Sequence, residues 1–327
     1  MSAIQANPQP AVLEEQAALI GADAEQPPTR RRSGRLNRSN VTAYLMLAPM
    51  VVLLGIFVWY PLANSFYLST FEISFYQDPV FVGFQFYEYV LSAPKFWNSI
   101  WVGILLVLLV VPAQLVVAFL IASLLRVLNG RVSGFLKTTI YVPTVVSFVV
   151  ASAIFVFIYR ERGGLLNGVL GWFGIEPIAV LSNPDLALGG IAVPALWIGV
   201  GVTTLIMLAG MLDIPDSYYE AAELEGAGYL QKTRYITLPL LKNVWLFLLV
   251  TLITATIQQF ELPLVMTFGG PYESTTTPNL YIFNQFKDPT AYATSFSLTA
   301  ALLLFVVLGT ISALIFRFVK SDKAIDG

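Results

Sequence analysis

Two groups of residues in this 327-residue chain have the types and spacing to do chemistry. The first is Glu220-Ala221-Ala222-Glu223-Leu224-Glu225-Gly226, separated by nine residues from Ile236-Thr237-Leu238-Pro239. It lies in a polar, helix-prone island, Asp213 to Lys242, between two long apolar segments. Its chemistry is recognition: carboxylates that can pair with basic groups, and small alanines that let another surface come close. The second group is Trp197, Gly199 and Thr203 in one apolar segment, with Thr256 and Gln259 in the next. Polar groups at membrane depth are costly and mark pathways. Amides and hydroxyls suit a neutral, hydroxyl-rich solute better than an ion.

Catalysis has little to work with. There is no His and no Cys, so imidazole chemistry, the common zinc sites, disulfides and thiol catalysis are excluded. No paired-carboxylate site stands out, and no metal or cofactor is expected. The Gly130 to Thr138 run lacks the spacing of a phosphate-binding loop, so the chain is expected to hold no ATP site.

The elements that must position these groups follow from composition. The chain is 57% hydrophobic and 12% charged, against about 25% charged in soluble domains. That composition is an all-α polytopic membrane protein. A net charge of −2 implies no nucleic-acid partner. Six apolar segments approach or exceed the roughly 20 residues needed to cross the hydrocarbon core. They run Ala43–Tyr67, Ser99–Leu125, Lys137–Tyr159, Leu188–Leu212, Asn243–Thr267 and Ala293–Phe318. Residues 1–40 read as a disordered tail ending in Arg30, Arg31, Arg32, Arg35 and Arg38. Residues 41–320 read as one six-span domain, and 321–327 as a short tail. Fourteen of the 18 Lys and Arg fall in the N-terminal tail, the loop after the second span, the island and the C-terminal end from Arg317. The positive-inside rule therefore places all of these in the cytoplasm.

Within the island, Pro215 should end the fourth span near Asp213. Ser217 and Glu220 fit a capping box. The short helix should run to Leu224 or Glu225 and stop at Gly226, where a left-handed backbone costs glycine little. Local sequence leaves two roles open for Glu220, capping the helix or docking a partner. Likewise, Trp197, Gly199, Thr203, Thr256 and Gln259 read either as a solute path or as helix packing.

The long-range spacing adds a resemblance. Glu-Ala-Ala, three residues, Gly, nine residues, Ile-x-Leu-Pro resembles the signature of the membrane components of binding-protein-dependent ATP-binding-cassette importers. Tyr44-Leu45-Met46-Leu47-Ala48-Pro49, Phe81-Val82-Gly83-Phe84, Gly163-Gly164-Leu165-Leu166-Asn167 and Thr267-Phe268-Gly269-Gly270-Pro271 are similar to the carbohydrate branch, first-permease type. Glu225 stands where Asp is usual, which keeps the charge. The resemblance implies a type I importer permease in a bacterial or archaeal inner membrane. It implies four kinds of partner besides membrane lipid: a second, homologous permease, two cytoplasmic ATPase subunits, an extracytoplasmic solute-binding protein, and a sugar-like substrate. Glu220, Ala221, Ala222, Glu225 and Gly226 would then form a coupling helix seated on an ATPase, and Gln259 would contact substrate. A permease for glycerol phosphate or a polyamine is the next reading, and a stand-alone secondary transporter a more distant one.

Overall fold

The computed structural model describes residues 38–74, 78–288 and 292–319. The tail expected over 1–40 lies outside the described residues as far as 37, and Arg38 to Asn40 already belong to the first helix. The tail expected over 321–327 lies outside them altogether.

The chain divides into two compact units, up to Tyr60 and from Pro61. The first holds helix α1, Arg38–Leu54, followed by a π-turn at Gly55–Trp59. The second begins with α2, Tyr60–Leu68. It continues into a two-residue ribbon, β1 (Phe71–Glu72) antiparallel to β2 (Val80–Phe81), with Phe71 opposite Phe81. A short helix α3, Gln85–Ser92, precedes α4, Pro94–Val127.

Helix α4 is the axis of this unit. Pro94 starts it, where the missing N–H is no loss, and its 34 residues reach about 51 Å at 1.5 Å per residue. That exceeds the ~30 Å hydrocarbon core, so both ends extend beyond it. Its buried face, including Val102, Leu106, Val111, Ala118 and Ala122, packs along α8, Pro184–Leu212. Asn183 caps α8, its Oδ1 accepting the Asp185 N–H at 2.9 Å. In lipid, such packing rests on close van der Waals fit more than on expulsion of water, which is why alanines with no exposed surface line the seam.

Among the described residues, five helices are long and apolar enough to span a membrane, or six if one bent pair counts as a span. The bent pair corrects the third expected segment, Lys137–Tyr159. Helix α5, Gly130–Tyr141, passes into a tight 3₁₀ turn at Val142–Val145. A new helix α6, Phe148–Ile158, leaves at 95° to the first arm. Pro143 supplies no N–H, and Val146 and Ser147 are extended, so the helical ladder cannot continue. Outside α6, the Gly-Gly-Leu-Leu-Asn run opens a short helix α7, Leu165–Trp172. Buried Asn167 staples its loop, donating to the carbonyls of Arg160 and Ile178 and accepting the Ile178 N–H at 2.8 Å.

After α8 come two short helices, α9 (Asp216–Leu224) and α10 (Tyr229–Lys232). A π-turn at Thr233–Thr237 and the single turn α11, Leu238–Leu240, lead into α12, Lys242–Ile257. The fifth span is interrupted. It breaks after Ile257 and resumes as α13, Glu261–Met266. Helix α14, Pro278–Phe286, and the last span α15, Ala293–Val319, complete the unit.

Candidate functional site

The island folds as a hairpin with its turn at Gly226, as the sequence implied. Gly226 has φ +80°, and the residues around it close the helix in a Schellman arrangement. The Gly226 N–H donates to the Glu223 carbonyl and the Ala227 N–H to that of Ala222, both at 2.9 Å. On the return arm the Gln231 side chain accepts the Gly228 N–H at 2.8 Å, satisfying an otherwise orphaned donor of α10.

The start of α9 differs from expectation. Pro215, with φ −57° and ψ 135°, occupies the N-cap position, and no side chain caps the helix. Ser217 is thereby shifted into the first turn, where its hydroxyl cannot serve as the cap, and the Ser217–Glu220 box does not form. Glu220 is exposed, with no hydrogen bond or ion pair among the described residues. Of its two candidate roles, capping is removed.

Other residues hold the hairpin. Arg126, at the end of α4, pairs with Asp216 at 3.1 Å, and its Cζ sits 4.1 Å above the Tyr219 ring. The Tyr219 hydroxyl lies 3.0 Å from Thr237 Oγ1, across the hairpin. Lys232 pairs with Glu223 between the two arms. The rest of the hairpin surface faces outward: Glu225 and Ala221 are exposed, Ala222 is half-buried, and Leu224 and Leu230 are 90% and 80% exposed. Large apolar side chains this open, on a backbone this well tied, make a recognition surface.

The second group meets only in part. Gly199, Thr256 and Gln259 line a small cavity of about 100 Å³ with Val110, Gln114, Phe148, Ala195, Leu252 and Ala255. Thr256 and Gln259, three apart in the expected fifth span, would share one face of a continuous helix. Gln259 instead sits in the break between α12 and α13, yet still reaches the same cavity. The break is held from the start of α14: Thr277, its N-cap, donates to the Gln259 carbonyl at 2.6 Å and Asn279 to that of Gln258 at 2.8 Å. The Gln259 amide donates to Glu261 at 3.3 Å. Trp197 does not line the cavity. It is 39% exposed and packs edge-on against Phe155, with ring centroids 5.8 Å apart. Thr203 stands behind the cavity wall, accepting from Gln114 Nε2 at 2.7 Å and donating to the Gly199 carbonyl at 3.0 Å.

Gln114 was missed by sequence reasoning. The available signal was one amide inside the otherwise apolar run from Ile100 to Ala122, beside Pro112. Gly199 makes room for it: a Cβ there would lie 2.5 Å from Gln114 Nε2. No Asp, Glu, Lys or Arg is among the residues lining the cavity.

At the opposite end from the hairpin, the Gly-Gly-Pro loop is tied to the start of α4. Lys95 pairs with Glu273 at 2.6 Å, and Asn98 donates to the Glu273 carbonyl at 3.3 Å. Nearby, Tyr281 packs against Phe96 with 4% of its surface exposed. Burial, reinforced by the Glu273 charge, pushes its phenol up to about 12.

Comparison with known proteins bears on this arrangement. The family described as binding-protein-dependent transport system inner membrane component matches residues 91–323. A sulfoquinovosyl glycerol transport system permease protein from Agrobacterium fabrum is 33% identical over 266 residues, covering 81% of this chain and 86% of that one. A trehalose/maltose transport system permease protein from Thermococcus litoralis is 31% identical, covering 75% and 83%. A lactose transport system permease protein from Rhizobium radiobacter is 30% identical, covering 85% and 95%. Among solved structures, a bacterial ABC transporter involved in alginate import superposes with TM-score 0.75 at 20% identity, covering 87% of this chain and 97% of that one. At that identity it speaks for the fold alone.

Proposed function

Since the chain belongs to the family of binding-protein-dependent transport system inner membrane components, we propose that it is the permease subunit of an ATP-driven importer for a sugar, oligosaccharide or polyol. The observation that carries the reading is the hairpin at Gly226. It is rigidly tied on its inner side, while Glu220, Leu224 and Glu225 stand exposed. That is the form of a seat for a soluble partner.

The partner is a cytoplasmic ATPase subunit, one of two. The hairpin and both chain ends lie in the cytoplasm, as the distribution of Lys and Arg requires. ATP-driven closure of the ATPases moves the hairpin, and Arg126 passes the displacement to α4. ATP and the loaded binding protein together favour an outward-open arrangement, and hydrolysis returns it. A second, homologous permease completes the passage. The cavity of about 100 Å³ has room for only about three waters at ~30 Å³ each, so this chain supplies one wall of a larger path.

The substrate assignment is supported by the cavity's lining and by the relatives. Amide, hydroxyl and aromatic groups without a fixed charge favour a neutral, hydroxylated solute. Glycerol phosphate would lack a cation there, and a polyamine an anion. The relatives above are named for glycosides and disaccharides. The test is a ligand screen of the cognate binding protein with trehalose, maltose, lactose, glycerol, glycerol phosphate and a polyamine, followed by ATPase assays of the assembled complex. Sugar-dependent ATPase stimulation is the expected result; stimulation by glycerol phosphate or a polyamine alone would sink the sugar assignment.

A further inference from the structure

We propose that Gln114 is a specificity-determining residue of the passage, offering its side-chain carbonyl oxygen to a hydroxyl of a neutral solute. This rests on the sugar-permease reading above and adds to it a residue, an atom and a charge preference.

The orientation of the amide follows from its neighbours. Thr203 Oγ1 has one proton, and that proton is directed to the Gly199 carbonyl at 3.0 Å. Toward Gln114 the hydroxyl can therefore only accept, so the side facing it at 2.7 Å must be the NH₂. Oε1 is left on the other side. It has no hydrogen-bond partner among the described residues, although Gln114 is 2% exposed. Among the described residues the sealed polar side-chain atoms without a partner are Thr204 Oγ1, Trp245 Nε1 and Ser274 Oγ, so Gln114 Oε1 is not sealed and opens onto the cavity as a free acceptor. The side chain lines the cavity that Thr256 and Gln259 also face, so a hydroxyl entering there is the donor at hand.

Gly199 has a matching role. With any side chain at that position, its Cβ would come within 2.9 Å of the Gln114 Cδ and Oε1 and displace the amide. Three residues on two helices thus hold one acceptor in place. An unpaired carbonyl in a cavity lined by no Lys or Arg repels a carboxylate or sulfonate and accepts a hydroxyl.

The test uses the complete importer, with its binding protein and ATPases, reconstituted in liposomes. The probes are radiolabelled trehalose, maltose and lactose, each with its monodeoxy analogues. Gln114→Met, which keeps length and removes the acceptor, should lower uptake of the transported disaccharide about tenfold, the size of one buried hydrogen bond. For the analogue lacking the recognised hydroxyl, the same substitution should add no further loss. Gly199→Ala should reproduce this pattern from a different helix, and decides the matter if Gln114→Met does not assemble. Thr203→Val, which removes the hydroxyl that orients the amide, should show the same hydroxyl-dependent loss, and Thr203→Ser, which restores it, should recover uptake. Equal losses for parent and all analogues, or no loss, would overturn the role of Gln114 and leave the permease reading standing. If the cognate binding protein and the wild-type importer accept no sugar, oligosaccharide or polyol, both the sugar assignment and the role of Gln114 are overturned.

Discussion

The guanidinium carbon of Arg126 lies 4.1 Å above the ring of Tyr219, joining the end of α4 to the first helix of the hairpin. The same side chain reaches Asp216 at 3.1 Å, and Tyr219 in turn reaches Thr237 on the other arm. One helix therefore carries Arg126 at the hairpin, Gln114 at the cavity, and Lys95 and Asn98 at the Gly-Gly-Pro loop. A displacement of the hairpin has a direct mechanical route to both.

Arg126→Lys should loosen this joint although it keeps the charge. The Asp216 carboxylate is 85% exposed, so the ion pair itself is worth at most about 1 kcal/mol. The planar stack on Tyr219 adds about 0.5–2 kcal/mol, and lysine does not reproduce it. Hydrogen exchange over residues 216–237 should accelerate several-fold while the spans remain protected. Unchanged exchange would show that the hairpin is held without Arg126.

Glu220→Ala separates docking from capping. Because Glu220 has no partner among the described residues, the substitution should move the stability of the isolated permease by no more than about 0.5 kcal/mol. Co-purification of the ATPase subunits and uptake should both fall sharply. A large drop in thermal stability without loss of ATPase association would reverse the assignment.

Gly226→Ala probes the turn alone. Open space surrounds the position of a new Cβ, so the cost is that of a left-handed backbone in a non-glycine residue, about 1–2 kcal/mol. Gly226→Pro is harsher, since it forbids φ +80° and removes the N–H bonded to the Glu223 carbonyl. The expected order of uptake is wild type, Ala, then Pro with none, all inserted in the membrane to the same extent.

Thr277→Val should destabilise the interrupted fifth span. It leaves the Gln259 carbonyl without the hydroxyl that now bonds it at 2.6 Å, at a cost of about 1–3 kcal/mol. Thr277→Ser should restore the wild-type melting temperature in detergent. Equal melting of Val and wild type would mean that this bond contributes nothing.

Tyr281 gives a pH signature. Its phenol is raised from 10.0 to about 12 in the folded chain, so folding favours the protonated form. That contribution is complete below the ordinary tyrosine value of about 10 and is lost as pH rises toward 12. Melting temperature should fall with a steeper alkaline slope in wild type than in Tyr281→Phe. Identical slopes would contradict the assignment.

What could be read from sequence was what depends on near neighbours along the chain. The apolar runs identified spans because a helix must satisfy its own backbone in lipid, and the glycine at 226 identified its turn because only the local φ matters there. The capping box was misread for an equally local reason, since Pro215 occupies the cap position two residues before Ser217. The third span was read as unbroken because apolar composition does not register the 3₁₀ turn at Pro143. The cavity was beyond such reasoning. Gln114 meets Thr203 across 89 positions, and the carbonyl of Gln259 meets Thr277 across 18. Those partners are chosen by how helices pack, and a hydrogen bond between distant residues leaves no periodic trace in either segment. The sequence alone determined a six-segment membrane protein with a polar hairpin. Only the tertiary structure decided which amide lines the cavity, which glycine admits it, and that Glu220 has no partner among the described residues, because each of these depends on distances through space.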